Sequence, residues 1–388
     1  MDDIKIVITD RDGVTKSTDN QYSDYSFVTD YNSMSSPFNL TLVNVDFEII
    51  TGDKVQFWLN DNLDYVGIIQ RIQRSTSKGS DSVTLSGKDR SSILVENFCN
   101  NFRDYNNKSP IFIINDLVSQ TDFYTKPKGS IQEVADSTGF SSSSDISDRN
   151  SAVLLDVNSS NTIPEQNHET TFDETFTALP VRATYKISVG DKVFDKVNDL
   201  VKSLGFEILY QNNGNLYIGD LNKKRFNDPI VYSTIYRSNG NGNNILSSDF
   251  TKDISGQFSS ILVSSQVENQ ALDNPVNSFK IAKNSFVPQV KFMAMQVNDS
   301  IDSPRLLAIQ EREDQRVAGF SLNYVVQGHT ADNGEPWQIN RYVDVDDDIN
   351  RVAERLVLYS RTFSFSESSG TTTEISLSVE KNFTELEI

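Results

Sequence analysis

The sequence predicts a mainly β protein with α+β parts, built as two antiparallel β-barrels, an α+β middle domain and a small insertion. Three observations predict this fold class. Most segments alternate apolar and polar residues with period two, which is typical of half-buried antiparallel strands. An amphipathic helix pattern within residues 190–205 is followed at once by a hairpin pattern. Strand patterns near the start of the chain recur near its end.

The first predicted barrel comprises residues 1–90. Its clearest strands are expected at residues 38–44, 54–59, 65–74 and 82–87, with a further one around Ile4–Thr9. Gly, Asp, Asn and Ser clusters separate these segments and favour tight turns. Several short strands in a segment of this length predict a small barrel or sandwich.

The predicted middle domain comprises residues 91–238. Residues 91–103 and 109–121 have short helix-like patterns, whereas residues 126–175 are rich in Ser, Asn, Asp and Thr. Such a composition with little periodicity predicts long loops.

The strongest helix signal lies within residues 190–205. Its apolar residues form one stripe, and Gly205 follows at a favoured C-terminal position. The stripe consists of Val193, Phe194, Val197, Leu200, Val201 and Leu204. The next segment predicts two strands around Asn212-Asn213-Gly214. A helix followed by a hairpin makes this an α+β unit.

The second predicted barrel comprises residues 239–270 and 320–388. Residues 239–244, NGNGNN, predict a linker before it. Strands are expected at residues 257–267 and 320–328. Residues 271–319 form the predicted insertion, with a short helix that begins at Pro304.

The recurrence between the two ends of the chain is ordered. In the first block, Val55 and Phe57 precede two strand patterns, Ile68–Arg74 and Val83–Ser86; in the second, Val343 and Val345 precede Leu356–Thr362 and Ile375–Ser378. This order predicts a duplicated barrel. The alternative is ordinary antiparallel sheet with unrelated topology in the two blocks, because short β patterns also recur by chance.

Composition excludes several classes of function. The chain has 388 residues and a net charge of −19, from 35 Lys and Arg against 54 Asp and Glu. This balance argues against non-specific nucleic-acid binding and against adhesion to anionic lipid. The single Cys99 excludes an intramolecular disulfide and a CxxC site. No segment is apolar for long enough to predict a transmembrane helix.

Candidate chemical sites are few. His168 and His329 have no partner at metal-ligand spacing, so both are expected to be surface or loop histidines. Asp344–Asp348 resembles a calcium loop, but Ile349 and Arg355 stand where such a loop needs Gly and Glu. This acidic run is therefore expected to be a solvated turn. We predict no catalytic, cofactor-binding or metal site.

Three further side chains are expected to serve packing. Cys99 follows Phe98 in a helix-like segment and is predicted to be a small buried side chain. Trp58 and Trp337 each lie near a predicted strand of one repeated block. We expect both tryptophans to pack in the core or at a barrel rim.

The order of these segments resembles the baseplate hub proteins of tailed phages and contractile injection systems, including late-control D-type tail proteins. The resemblance spans most of the chain, with residues 126–175 unmatched. It is carried by the phrases GDKVQFWLNDNLDYVGIIQRIQRS, VTLSGKDRSSIL, VGDKVFDKVNDLVKSLGFEILYQNNGNLYIGD, PWQINRYVDV and RLVLYSRTFSFSESSGTTTEISLSVEKNF.

The resemblance implies a structural role in a virion. It implies a homotrimer in which two tube-like barrels per subunit give six positions around an axis, adapting a sixfold tail tube to a threefold spike. The partners would be the tail tube protein, the central spike protein and other baseplate proteins. Genomic DNA would pass through the lumen without specific binding, and no membrane insertion is expected. The chain would be located in the tail baseplate of the virion, and assembly would occur in the host cytoplasm.

The charge distribution adds a hypothesis about the lumen. Residues 1–100 carry 9 Lys and Arg against 15 Asp and Glu, and residues 331–388 carry 5 against 12. Acidic groups along a channel would keep DNA from adhering to its wall. The alternative is that acidity only aids solubility.

Two other classes of function remain open from the sequence. One is a carbohydrate- or receptor-binding β module at a cell or virion surface. The other is a β-rich enzyme that cleaves glycans with a pair of carboxyl groups. No local pattern selects such a pair, so a non-enzymatic role is expected.

Overall fold

The computed structural model describes residues 3–382 apart from residues 11, 19–20, 32, 78–79, 101, 122–169, 178, 180, 223–232, 238–243, 267–278, 284–288 and 297–303. Within that part the protein is mainly β, and most strands join one large sheet. The predicted fold class is confirmed at this level, with α+β parts between the strands of the sheet.

The opening segment forms the first half of the large sheet. Its strands are β1 (Ile4–Thr9), β2 (Thr15–Ser17), β3 (Tyr22–Asp30), β4 (Pro37–Val43), β5 (Lys54–Leu59), β6 (Asn62–Ser77) and β7 (Ser80–Asp89). They lie in the order β3-β4-β7-β6-β5-β1-β2, with antiparallel neighbours. Alternation buries every second side chain, as Val55, Phe57 and Leu59 illustrate in β5. We call β3 to β7 the first strand set.

The middle segment combines helices with small sheets. Its elements are α1 (Ser92–Glu96), β8 (Asp104–Lys108), α2 (Pro110–Ser119), β9 (Thr170–Phe172), α3 (Glu174–Thr177), β10 (Arg182–Lys186), α4 (Val193–Ser203), β11 (Glu207–Tyr210) and β12 (Leu216–Gly219). The apolar faces of α2 and α4 share one core with the small sheets. Of the predicted loop segment, residues 126–169 lie outside the described residues, whereas residues 170–175 hold β9 and the start of α3.

The predicted amphipathic helix and hairpin are confirmed. Helix α4 ends before Gly205, whose φ of +82° is a conformation that glycine adopts without strain. The next strands, β11 and β12, pair antiparallel around the turn at Gly214. Helix α2 begins with Pro110 at its first turn, and the Ser109 hydroxyl accepts a hydrogen bond from the Phe112 amide.

The next segment contributes to two sheets. It comprises β13 (Ser233–Arg237), β14 (Ile245–Lys252), β15 (Ser260–Gln266), β16 (Phe279–Lys283), β17 (Val290–Gln296) and α5 (Pro304–Ala318). Strand β15 pairs with β16 and β17 in a three-stranded sheet of its own, and α5 packs against it. The helix predicted to begin at Pro304 is confirmed. Residues 239–243 of the predicted linker lie outside the described residues.

The last segment completes the large sheet. Its strands are β18 (Phe320–Gln327), β19 (Tyr342–Asp347), β20 (Val352–Ser366) and β21 (Gly370–Ser378). They follow the order β14-β18-β21-β20, and β19 pairs with the first half of β20. We call β14 and β18 to β21 the second strand set.

The expected closure into two barrels is not seen in the described part of the chain. The large sheet is open there, with β14 and β2 at its two ends. The reason lies in β20, whose second half pairs with β3 of the first strand set instead of closing its own set. One large sheet, antiparallel apart from the parallel pair of β13 with β19, is continuous between the two sets.

Candidate functional surface: two matching strand sets and their joint

The two strand sets have the same internal order. The first reads β3-β4-β7-β6-β5 and the second reads β14-β18-β21-β20-β19, with antiparallel neighbours throughout. The chain also visits the five strands in the same succession in both sets. In each set one long strand, β6 or β20, divides its length between two partners. The recurrence in the sequence therefore corresponds to a repeated topology.

Matching β-bulges align the two sets residue by residue. Gln70 is the extra residue of β6 opposite β7, and Tyr359 is the extra residue of β20 opposite β21. Ser23 in β3 and Leu246 in β14 occupy a second matching pair of bulges. Each bulge shifts the strand pairing by one residue. The registers of the two sets therefore match only if a bulge in one set lies at the same position as a bulge in the other. Counting from them aligns residues 71–77 with residues 360–366.

The register also corrects the sequence comparison. Val55 aligns with Val343, as the sequence predicts. In β7, however, Val83 aligns with Thr373, two residues away from the position that the sequence comparison gave. The bulge in the preceding long strand is a local change of backbone that short alternating patterns do not reveal.

The two sets meet where β20 pairs with β3, and we call this contact the joint. Seven antiparallel residue pairs connect residues 360–366 to residues 24–30. The ladder continues through a 2.7 Å hydrogen bond from the Tyr31 amide to the Tyr359 carbonyl, and their rings lie 4.9 Å apart, edge to face. The joint is thus a continuous strand pairing with aromatic packing at its end.

A buried ion pair crosses the joint. The Arg361 guanidinium donates to the Asp64 carboxylate and also to the Trp337 carbonyl, and the Arg361 and Asp64 side chains are only 1% and 4% exposed. Asp64 is the extra residue of a bulge in β6, which directs it toward β20. Burial raises the pKa of the Asp64 carboxyl, and the adjacent guanidinium limits that rise. Arg361 also lies 4.2 Å from the Phe363 ring centroid.

His329 lies in the core of the joint. It follows β18 in a turn, but it is fully buried, so the prediction of a surface or loop histidine is wrong about its exposure. Its Nε2 lies 2.8 Å from the Tyr25 hydroxyl and its Nδ1 lies 2.9 Å from Thr373 Oγ1. Thr373 donates its own proton to the Gly328 carbonyl, so it accepts a hydrogen bond from Nδ1–H of His329. His329 therefore connects strands of both sets and takes a structural role.

One face of the large sheet is polar across both sets. The opposite face carries the main hydrophobic core. The clearest polar row crosses seven strands through directly paired residues: Gln327, Thr372, Ser364, Ser26, Asn39, Ser86 and Arg71. Along a neighbouring row, the hydroxyls of Thr41 and Thr84 are 3.3 Å apart. A wide hydroxyl-rich surface with few charges results, and we call it the polar face.

The acidic run at Asp344–Asp348 is mostly strand. Asp344 accepts hydrogen bonds from Arg355 on the paired strand, the shorter at 2.6 Å. Asp347 is buried, accepts a 2.7 Å hydrogen bond from Tyr324, and holds the turn that follows. Both residues lie in β19, so the expectation of a turn is wrong for them, and Asp347 is also withdrawn from solvent.

The remaining predicted side chains have packing roles. Cys99 is buried as expected, although its segment is extended and not helical, and burial raises the pKa of its thiol. Trp337 is buried in the main core, in agreement with core packing, whereas Trp58 is half-buried on the face of β5 opposite the core residues. His168 lies outside the described residues.

Two structural findings concern other kinds of site. Among the described residues, no three or more His, Cys, Asp or Glu side chains cluster in a way that could hold a metal ion. In the same part of the chain, no helix has the length and apolar character that crossing a membrane requires.

Comparisons with known proteins agree with this architecture. Residues 314–381 match the model of a family described as the C-terminal domain of a tail protein. That segment contains the end of α5 and four of the five strands of the second strand set. No match was found among curated proteins.

Solved structures resemble the chain over nearly its whole length. The tail protein from Neisseria meningitidis MC58 has a TM-score of 0.70 at 19% identity, with 97% of each chain covered. The 43 kDa tail protein of prophage MuSo2 from Shewanella oneidensis has a TM-score of 0.67 at 16% identity, covering 97% of this chain and 98% of that one.

A type VI secretion component, the E. coli c3393 protein, is also similar. Its TM-score is 0.53 at 9% identity, with 95% of this chain and 76% of that chain covered. That protein is described as structurally similar to the T4 bacteriophage tail proteins gp27 and gp5. The chain therefore has the fold of phage tail proteins.

Proposed function

We propose that this chain is a structural baseplate hub of a phage tail. In this proposal it forms a homotrimer that adapts a sixfold tail tube to a threefold central spike, and it surrounds part of the DNA channel. Its partners are the tail tube protein, the spike protein and other baseplate proteins. The role is geometric and not enzymatic.

The repeated strand set is the observation that carries the proposal. Three copies of a chain with two equivalent sets offer six similar positions around an axis. A ring of this kind requires contacts that join different edges of the units and close on themselves. The joint supplies one such contact inside each chain, because it pairs an edge of the first set with a different strand of the second. The fold shared with phage tail proteins supports the same role.

The mass of the chain in solution tests the proposal. Native mass spectrometry at micromolar concentration should give three times the subunit mass, and electron micrographs should show rings with six similar lobes. The measurement should be repeated with a cognate spike protein, because the spike adds contacts that stabilise a trimer. A monomer or a dimer under both conditions would contradict the hub.

The polar face supports the channel part of the proposal. The polar face presents mainly hydroxyl and amide groups, and Arg71 lies at its edge, so a passing phosphate backbone meets few cations along it. Asp24 and Glu374 are exposed carboxylates on this face.

We expect the substitutions Asp24→Lys and Glu374→Lys, made together, to slow DNA ejection several-fold without preventing assembly. Each trimer would then carry six added cations where the genome passes, and these would attract phosphates. Ejection should be timed in virions with the variant chain, with Asp46→Lys, an exposed site outside the strands, as the control. Unchanged ejection kinetics would contradict the proposal that the polar face lines the DNA channel.

A further inference from the structure

The large sheet has two edges that correspond to the two partners of the joint. In the joint, residues 360–366 of β20 pair with residues 24–30 of β3. The matching bulges align these segments with residues 71–77 of β6 and residues 247–253 at β14. Among the described strands, that part of β6 pairs only with β7, and β14 pairs only with β18. Each chain thus has two unpaired sheet edges among the described strands: one is equivalent to the β20 side of the joint, and the other is equivalent to the β3 side.

We propose that residues 71–77 of one copy pair antiparallel with residues 247–253 of a second copy, in the register of the joint. This inference rests on the proposed ring of copies and specifies how neighbouring copies bind. The register places Arg71 opposite Asp253, Gln73 opposite Thr251 and Ser75 opposite Asp249.

The side chains at these edges suit such a pairing. An exposed backbone edge is a ready template for another strand. Arg71, Gln73, Asp249 and Thr251 are all exposed in the single chain, and Arg71 would meet the carboxylate of Asp253 directly. Opposite charges at directly paired positions stabilise antiparallel strands. The two edges are therefore complementary in charge as well as in register.

Exposed apolar side chains mark the same edge. Ile254 is 52% exposed and Leu246 is 58% exposed, one at each end of the β14 segment. The counterpart of Ile254 in the first set is Tyr31, which is only 8% exposed because the joint covers it with Tyr359. In the proposed pairing, Ile254 would lie against Gln70, the counterpart of Tyr359. The pairing would thus cover an apolar side chain that a single copy leaves in water.

The register also determines which residues meet on the core side of the sheet. Ile72 and Phe250 both contact the edge of the main hydrophobic core in a single copy. In the aligned register, Phe250 is equivalent to Phe27, and Arg74 is equivalent to Phe363. Phe250 of one copy would therefore lie opposite Arg74 of the next, as Phe27 lies opposite Phe363 in the joint. On the other side of the sheet the polar rows continue from Gln73 into Thr251 of the next copy. The polar face would therefore run from copy to copy without a break.

Disulfide cross-linking tests this register. In the variant Gln73→Cys with Thr251→Cys, mild oxidation of the concentrated protein should give covalent multimers that end at the trimer on a non-reducing gel. The control, Gln73→Cys with Ser247→Cys, moves one thiol four residues along β14 and should not cross-link. The native Cys99 is buried and should not interfere.

A charge exchange provides the second measurement. Arg71→Glu should raise the concentration needed for assembly several-fold, because it places two carboxylates opposite each other, and adding Asp253→Arg should restore assembly.

The outcomes separate this inference from the proposed hub. A trimer by mass in which the variant Gln73→Cys with Thr251→Cys forms no disulfide between copies, or in which the control cross-links equally, would overturn the pairing and leave the hub intact. A monomer at every concentration, with and without the spike, would overturn both. Covalent multimers that continue beyond three copies would support the pairing and contradict the trimeric ring.

Discussion

Replacing Arg361 with leucine should destabilise the folded chain by about 3–5 kcal/mol. The substitution leaves the Asp64 carboxylate buried without its cation, and an uncompensated buried charge costs far more than a lost surface contact. It also removes the hydrogen bond to the Trp337 carbonyl. The free energy of unfolding should be measured by urea denaturation followed by tryptophan fluorescence, since Trp58 lies in the first strand set and Trp337 in the connection between β18 and β19 of the second.

Two variants make this measurement specific. Arg355→Leu removes an arginine from the same strand, but its pair with Asp344 is exposed, with side chains 49% and 40% accessible. Exposed pairs contribute about 0–1 kcal/mol, so this control should change stability little. The double variant Asp64→Leu with Arg361→Leu should recover much of the loss, because no charge is left buried. Equal effects of Arg361→Leu and Arg355→Leu would mean that the joint does not depend on the ion pair.

Substituting alanine for Gly87 should destabilise the first strand set by about 3 kcal/mol or more. A Cβ atom at Gly87 would lie 1.9 Å from the Ile68 carbonyl oxygen and 2.8 Å from the Phe38 ring. The oxygen belongs to the backbone of the paired strand β6, so relief requires the two strands to separate. Overpacking commonly costs about 1–3 kcal/mol where side chains can move, and here the obstacle is main chain.

Gly256→Ala is the matched control for this prediction. An added Cβ at Gly256 meets no atom within 4 Å, and the residue does not have a positive φ. Its stability should be unchanged or slightly higher, because alanine restricts the unfolded chain. Thermal and chemical denaturation of the two variants should therefore differ clearly. A Gly87→Ala protein as stable as the control would show that β6 and β7 can move apart without cost.

Much of the fold follows from local pattern. Alternation places β4 to β7 within a few residues of their observed bounds, because each strand has one buried face. The stripe on α4 and the glycine after it locate that helix, and Pro304 marks the start of α5. Each of these signals lies within one element and needs no knowledge of its partners.

The pairing between distant segments does not follow from pattern. The alternation in β20 does not indicate that its second half pairs with β3. The sequence therefore predicts two barrels, whereas the described part of the chain has one large open sheet beside three small ones. The bulges at Gln70 and Tyr359 shift the register by a residue that no spacing rule reveals.

The sequence also did not predict the buried polar groups. Asp64 and Arg361 are 297 positions apart along the chain, and His329 gains its partners only when both strand sets are assembled. Composition makes a buried histidine or carboxylate unexpected, because such groups are costly to bury without partners. An isolated charged residue within a strand pattern, such as Arg361 in RTFSFS, was the one available hint.

The joint makes the association of the two strand sets independent of protein concentration. Because both strand sets belong to one polypeptide, their association is an intramolecular step with a fixed effective concentration. It proceeds equally well when the protein is scarce and when it is abundant. Separate polypeptides bearing one set each would have to find each other by diffusion, and dilution would drive them apart. Because the two strand sets are part of one chain, the contact between their edges does not depend on how much protein is present.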